Sequence, residues 1–502
     1  MSYSGSLTLT QPAANCIYQR DTRTGGAFGK GVGAVALTLS PTAAVTLLEA
    51  QLRDADNPGA VLLPWFTAGA NLAAGAQTIT LSLPANAAWY LLDLRANGDP
   101  ASVVSTTNRI GVGEVIAAAG QSLATDFWDT NASGDTTTLA SLGVVPSAYG
   151  AAFAAWNGNT TLPTWAIPAD GGAYRSSFVA EFLRRVVTAT GVNAALVGYA
   201  VNGTTIATWQ PGQPNDTALR AILTAAGGKF SAFIWCQGHQ DAKAGANGAV
   251  YLATLQQVIG SLAGAYAGPF RRILCSIPAV AAAAAAKYDA GAIVTIRAAH
   301  LQYLSLDPLA SYVAGLDVTL FGDGIHPSQR GNIAFADHFY RAFMSGIGGN
   351  SAGDTGPRLA GATRAPGSPR IVLSVLPPIS LTASGGSAAT QFQVFPAGQT
   401  SGALPIATVD LSQRGLVAIT LATTPADNQA LDVWYRLPWD SSAAIATGIY
   451  DGNTDADGLA TGRQLVLTAS PFTVVPAAWH RPVLIGPGLP MLTAPGAVGF
   501  AL

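Results

Sequence analysis

Between residues 111 and 345 the chain alternates short apolar runs with amphipathic stretches, and few folds can hold that rhythm. The runs are 115–119, 195–201, 232–236, 273–280 and 312–316. None shows regular polar alternation, so a strand built from such a run has to be covered on both faces. Between them Phe178, Phe182, Leu183, Val186 and Val187 recur at helical spacing, as do Leu252, Leu255, Val258, Ile259 and Leu262. Asn215-Asp216 is placed to cap a third helix, which Gly227-Gly228 ends. The repetition predicts an α/β fold, a parallel sheet with helices on both faces. In such sheets, sites form beyond the carboxyl ends of the strands.

The flanks read differently. Residues 1–110 contain the β-favouring runs 35–39, 78–83 and 89–94, separated by Pro, Gly and Asn, which predicts a small antiparallel sandwich. Residues 346–369 hold Gly348-Gly349, Gly353, Pro357, Pro366, Gly367 and Pro369 with little apolar periodicity, the composition of a linker. Beyond it, 370–376, 416–421 and 431–435 predict strands of a C-terminal β domain over 370–502. A length of 502 residues accommodates this division into several domains.

Composition removes some function classes. Only 10% of residues are charged, the net charge is −2, and no basic block occurs, so nucleic acid is not an expected partner. A weakly charged surface fits a neutral substrate such as a sugar. Cys16, Cys236 and Cys275 form neither a disulfide framework nor a metal-ligand spacing, and the last two are expected as buried thiols. Met1-Ser2-Tyr3-Ser4 has no basic or apolar leader character, so no signal peptide is expected. The apolar run around 279–286 falls far short of the ~20 residues that span a bilayer. A soluble protein is therefore expected, without a membrane partner; its compartment and oligomeric state stay open.

Three blocks in fixed order carry the chemistry: Gly120-Gln121-Ser122, Trp235-Cys236-Gln237-Gly238 and Asp323-Gly324-Ile325-His326. Ser122 directly follows a strand and precedes a predicted helix, which exposes a nucleophile and aims its own N–H at a reacting carbonyl. The histidine follows by elimination among His239, His300, His326, His338 and His480. His300 and His338 fall within helical patterns and His480 in the last β domain. His326 sits in a turn with Asp323 three residues before it, where a carboxylate can hold Nδ1 and present Nε2 to the serine. Gln237 ends a strand, and its amide can donate to an oxyanion. In the block after the second strand, Asn202-Gly203, the Gly203 N–H is another candidate oxyanion donor. Asn453-Thr454-Asp455-Ala456-Asp457-Gly458 partly matches a calcium loop but has Gln464 where a bidentate Glu belongs, so a polar turn is expected there and no metal.

These blocks resemble those of the SGNH (GDSL-type) hydrolases and, more narrowly, the sialate O-acetylesterase-like carbohydrate esterases. That family carries a Gly-Gln-Ser block, a Gly-Gly-Ser/Thr-x-Ile-x-x-Trp block, a Trp-x-Gln-Gly-Glu-x-Asp block and a final Asp-x-x-His. Here they read Gly120-Gln121-Ser122-Leu123, Asn202-Gly203-Thr204-Thr205-Ile206-Ala207-Thr208-Trp209, Trp235-Cys236-Gln237-Gly238-His239-Gln240-Asp241 and Asp323-Gly324-Ile325-His326, with Val112-Gly113-Glu114-Val115 as lead-in. The resemblance implies a flavodoxin-like three-layer αβα domain over 111–345. It makes Ser122 the nucleophile, His326 the base and Asp323 its partner, with the Ser122 and Gly203 N–H groups and Gln237 as the oxyanion hole. Gln121, Asn202, His239 and Trp209 become candidate substrate contacts. It also implies an acetylated carbohydrate as substrate and no cofactor. Two positions depart from the pattern: Leu123 replaces an Asn, and His239 replaces the Glu of the third block. An acetyltransferase using the same triad, or a carbohydrate-binding protein on a decayed hydrolase scaffold, are the rival expectations.

Overall fold

A computed structural model describes residues 2–130, 134–157, 159, 161–266, 268–275, 277, 280, 284, 287–288, 290–313, 315, 318–347, 358–376, 378, 380–384, 388–399, 401–435, 448–450 and 472–474. The chain divides into two compact units. One comprises Met1–Cys236 and Gln257–Ile273, the other Gln237–Gln256 and Leu274–Leu502.

The first unit opens with β1 (Leu7–Leu9), β2 (Cys16–Gln19), β3 (Val32–Pro41), β4 (Val45–Asp54), β5 (Val61–Leu72), β6 (Gln77–Pro84), β7 (Tyr90–Ala96) and β8 (Val104–Ser105). Strand β3 pairs antiparallel with β1 and β6, and β4 pairs antiparallel with β5 and β7. Alternation puts Val35, Leu37, Leu39, Ile79, Leu81 and Leu83 of one sheet into a common core with Leu48, Leu52, Leu92 and Leu94 of the other. Each such side chain contributes about 1.5–3 kcal/mol by leaving water, and a one-residue slip would turn the whole set outward. Two antiparallel sheets thus share one core here, and the second does not stop at residue 110. Tyr90 of β7 pairs with Ile110, so the sheet continues into the next strand.

That strand, β9 (Ile110–Gly120), is buried at every position, as an apolar run without alternation requires. It pairs in parallel with β2 over 110–113, with β11 (Asn193–Ala200) over 113–120 and with β12 (Ala232–Cys236) over 116–120. The strand before β11 in sequence, β10 (Gly150–Trp156), extends the parallel sheet on the far side of β11. Helices α1 (Ser122–Thr125), α2 (Ser177–Thr190) and α3 (Pro214–Ala225) follow strands of this sheet. In α2, Phe178, Phe182, Leu183, Val186 and Val187 are all buried, Ser176 caps the start and Gly191 the end. Asn215-Asp216 does not cap α3. Pro214, whose fixed φ suits the first helical turn, opens the helix after Gln213, and Asp216 instead accepts the Gly212 N–H at 2.9 Å and pairs with Arg220 at 2.8 Å.

Glu114 lies fully buried in the middle of β9. Arg20 and Arg23 close on its carboxylate at 2.7 and 2.8 Å. Burial alone would favour the neutral acid, but the two guanidiniums outweigh it and hold the carboxyl below the usual range. This ion triad tethers the segment after β2 to the central strand.

The second unit begins with α4 (His239–Lys243), and the chain then crosses between the units within α5 (Gly248–Ala265) and within β13 (Arg271–Cys275). Leu252, Leu255, Val258, Ile259 and Leu262 of α5 are buried as their spacing predicts. Helices α6 (Ala290–Leu306) and α7 (Gln329–Ile347) pack with β14 (Ala310–Val313). The run expected over 273–280 is strand only to Cys275; residues 276, 278 and 279 lie outside the described residues, as do 314 and 316 of the run after β14.

The segment expected as a linker contains a strand, β15 (Arg358–Arg364), paired antiparallel with β16 (Arg370–Leu376). Its sequence, RLAGATR, lacks an apolar stripe, so the pairing is decided by its neighbour and by the buried Arg364, whose guanidinium donates to Ser368 O, Ala426 O and Gln429 O. Beyond them come β17 (Thr382–Ser384), β18 (Phe392–Pro396), β19 (Ile406–Asp410), β20 (Leu416–Leu421), β21 (Leu431–Tyr435), β22 (Gly448–Tyr450) and β23 (Phe472–Val474). Ile371, Leu373, Val394, Val417, Ile419 and Val433 share a core there. The partial calcium-loop match at 453–464 and His480 lie outside the described residues. All three cysteines are buried thiols outside any disulfide. Among the described residues no helix is long and apolar enough to cross a membrane.

Candidate functional site

On the first unit, two of the sequence blocks meet at the carboxyl ends of β9 and β11. Strand β9 ends at Gly120, whose φ of +149° and whose position 2.0 Å from Cys236 O for any added Cβ leave room only for glycine. The chain turns there: the Gln121 N–H donates to Cys236 O at 3.0 Å, and Ser122 becomes the first residue of α1. The Val201 N–H donates to Gly120 O at 3.0 Å, and the Thr125 hydroxyl donates to Asn202 Oδ1 at 2.7 Å. These bonds tie the Ser122 turn to the Asn202-Gly203 loop. Gly203 is exposed in the left-handed region at φ +67°, with nothing around its Cα to obstruct an approaching group. Ser122 is 8% exposed. Leu123, in place of the family's Asn, is buried and, being apolar, needs no polar partner.

Trp209, a candidate substrate contact from sequence, is 1% exposed. Its ring meets Trp235 edge-on at 5.5 Å and its Nε1 donates to Thr204 Oγ1 at 3.1 Å, so it supports the Gly203 loop from beneath. Gln121 is likewise buried, whereas Asn202 is exposed.

The second unit carries the acid–histidine pair, in the turn between β14 and α7. Asp323 Oδ1 accepts the backbone N–H of Ile325 at 2.9 Å and of His326 at 3.1 Å, and Oδ2 lies 2.5 Å from His326 Nδ1. Burial pushes the Asp323 carboxyl up, but the imidazole and the two amides prevail and hold it below the ordinary value. With Nδ1 engaged, Nε2 is the free end of the ring; it is buried and has no hydrogen-bond partner.

His239, first residue of α4, is 3% exposed and its Nε2 is also without a partner. Its ring meets Tyr288 at 5.8 Å, nearly edge-on. Burial first, then the fields of His326 and Arg297, push its pKa down to about 3 against the opposing pull of Asp323. His239 is thus a neutral imidazole beside the acid–histidine pair. Tyr288 is pushed up to about 12, by burial and then by Asp323.

Gln237, expected in the oxyanion hole, is 2% exposed and set in a buried network. Its Nε2 donates to Asp241 Oδ2, while the Tyr251 hydroxyl lies 2.8 Å from its Oε1, 3.0 Å from its main-chain O and 3.1 Å from His300 Nε2. Tyr251, His300, Tyr288 and Arg297 are missed by sequence reasoning. For Tyr251, His300 and Arg297 the only signal is an aromatic or ionisable residue on an otherwise apolar helix, which by itself reads as core, and Tyr288, in the bend before α6, gives none. Among the described residues no group of three His, Cys, Asp or Glu side chains is placed to hold a metal ion.

Residues 169–345 match the family described as carbohydrate esterase, sialic acid-specific acetylesterase. The match includes Gly203, Gln237, His239, Asp323 and His326 and leaves Ser122 outside. A comparison with curated proteins returns no match. Among solved structures, a carbohydrate acetylesterase from Xanthomonas citri aligns over 93% of this chain and 99% of its own at 18% identity and a TM-score of 0.59. A protein from Arabidopsis thaliana aligns over 46% of this chain and 98% of its own, at 16% identity and a TM-score of 0.36. A family two carbohydrate esterase from Clostridium thermocellum, solved with cellohexaose, aligns over 63% and 93%, at 13% identity and 0.30. The last two likenesses carry no argument; the first shows a shared fold of mixed sheet and helices. The resemblance to sialate O-acetylesterase-like carbohydrate esterases, read from the motifs, holds.

Proposed function

We propose that this chain is a serine esterase that removes short acyl groups, acetyl foremost, from a carbohydrate. One observation carries the reading. The Asp323–His326 pair, inside the segment that matches the esterase family, has its Nδ1 side held by a carboxylate and its buried Nε2 unpartnered. An imidazole so held is prepared to take a proton from a hydroxyl.

In this reading Ser122 Oγ attacks the ester carbonyl and His326 Nε2 takes its proton. The Ser122 and Gly203 N–H groups, with the Gln237 amide, stabilise the oxyanion. Collapse of the tetrahedral intermediate breaks the bond to the sugar oxygen, which leaves with the proton from His326. Water, deprotonated by the same ring, then releases the acid and regenerates Ser122. The route calls for no metal or organic cofactor. An SGNH three-layer domain over 111–345, flanked by β domains at 1–110 and 370–502, belongs to the same proposal. His239, neutral and with a free Nε2, is proposed as a substrate contact, together with the exposed Asn202.

The test is acetate release from a panel of acetylated glycans, with Ser122→Ala as control and a serine-directed phosphonate as label. Release that the Ala variant abolishes, with Ser122 alone labelled, supports the reading. Labelling elsewhere or an active Ala variant removes it, and acetyl recovered on an added sugar instead of as acetate makes the enzyme a transferase.

A further inference from the structure

The buried groups that hold Gln237 take no part themselves in the acyl-transfer steps, and their mutual bonds fix one arrangement of hydrogens. A carboxylate only accepts, so the Gln237 group facing Asp241 is the NH2, and Oε1 faces Tyr251. The Tyr251 hydroxyl has one proton and stands before two carbonyl oxygens of the same residue, at 2.8 and 3.0 Å. It has to donate to them, because turning its lone pairs toward both would be repulsive. Its own acceptor side is then filled by His300, whose Nε2 at 3.1 Å must carry the hydrogen. This tautomer leaves a bare lone pair at His300 Nδ1, and that atom is the one without a partner. Burial keeps the ring neutral, with the pKa pushed down to about 3. Tyr251 and His300 are both essentially inaccessible, their rings edge-to-face at 5.2 Å.

We infer that Tyr251 and His300 are positioning residues that fix the orientation of the Gln237 amide and of the Gln237 main-chain carbonyl. The inference rests on the proposed oxyanion role of Gln237. A donor gains its effect from being set before charge develops, since an amide that must turn during the reaction loses part of its stabilisation to reorganisation. Tyr251 holds both the side-chain and the main-chain oxygen of Gln237, and Asp241 accepts from its NH2, so the amide plane is kept from turning over. His300 in turn prevents the phenol from rotating away.

The experiment is a double-mutant cycle on the full chain, with kcat and KM measured on an aryl acetate and folding followed by thermal melting. Loss of a whole oxyanion donor costs about 10²–10³ in kcat, so Gln237→Ala should fall in that range. Tyr251→Phe should lower kcat about tenfold or more with KM little changed, and this loss should vanish on the Gln237→Ala background. His300→Gln, whose amide can still donate to Tyr251, should keep more kcat than His300→Leu, with an unshifted pH profile in both. Additive losses in the cycle, full kcat in Tyr251→Phe, or equal kcat in the two His300 variants would overturn the inference. If these occur while Ser122→Ala is dead, the esterase reading stands and only the positioning role fails. An active Ser122→Ala takes away the ground of both.

Discussion

Replacing Asp323 by Asn keeps the shape of the side chain and changes which group faces the histidine. Oδ1 accepts two backbone N–H groups, from Ile325 and His326, at 2.9 and 3.1 Å. An asparagine in that turn has to keep its carbonyl there, because its NH2 would confront two donors. The NH2 is therefore left facing His326 Nδ1, where the carboxylate oxygen stood at 2.5 Å. It can only donate, so Nδ1 becomes the acceptor and the ring hydrogen moves to Nε2. A ring protonated at Nε2 cannot take the serine proton. In the serine-protease triad the same substitution costs about 10⁴ in kcat, equivalent to about 5.5 kcal/mol of transition-state stabilisation. We expect a loss of that order here, no smaller than that of Asp323→Ala, although Asn preserves the turn and Ala does not. Melting should show the reverse order, with Asn near wild type. The assay is kcat/KM on an aryl acetate at pH 7 beside thermal melts of both variants. Asp323→Asn retaining more than about a tenth of wild-type activity, or exceeding Asp323→Ala tenfold, would refute the tautomer argument.

The remaining predictions follow from Asp323, His239 and Glu114. The carboxyl of Asp323 is held below its ordinary value, so its contribution to stability is complete above the usual carboxylate range of about 4 and is lost as pH falls through the lower folded value; the melting difference between wild type and Asp323→Ala should be flat from pH 5 to 8 and shrink only in stronger acid. His239, pushed down to about 3, is neutral throughout that window, so His239→Gln should leave the pH–rate profile unmoved, whereas His239→Glu adds an anion beside the pair and should displace the acid limb to higher pH. An unmoved profile in the Glu variant would place residue 239 away from the chemistry. Glu114→Ala strands the buried Arg20 guanidinium and should cost about 3–5 kcal/mol in denaturant unfolding, a loss that a value under 1 kcal/mol would contradict.

Much of this protein is determined within short stretches of its sequence. Strands β12, β16, β20 and β21 run over the residues their patterns predict: β12 has no polar member and so no alternative to burial, and the other three turn alternate side chains into a core. The Asp323–His326 pair is equally local: three residues in one turn bring carboxylate to imidazole, so spacing alone reveals it. What spacing could not reveal depends on residues distant along the chain. Nothing in the segment 16–19 announces that it will run parallel to β9, nor in Arg20 that it will meet Glu114, 94 residues on. Trp209 looks like a substrate platform until Trp235 covers it. Tyr251 and His300, 49 residues apart, each read as core residues of an apolar helix, and only packing reveals that they converge on Gln237. A buried polar group is decided by its partner, and the partner is set by which distant segments of the chain pack together. Pattern determines which residues go inside, and tertiary structure decides what they find there.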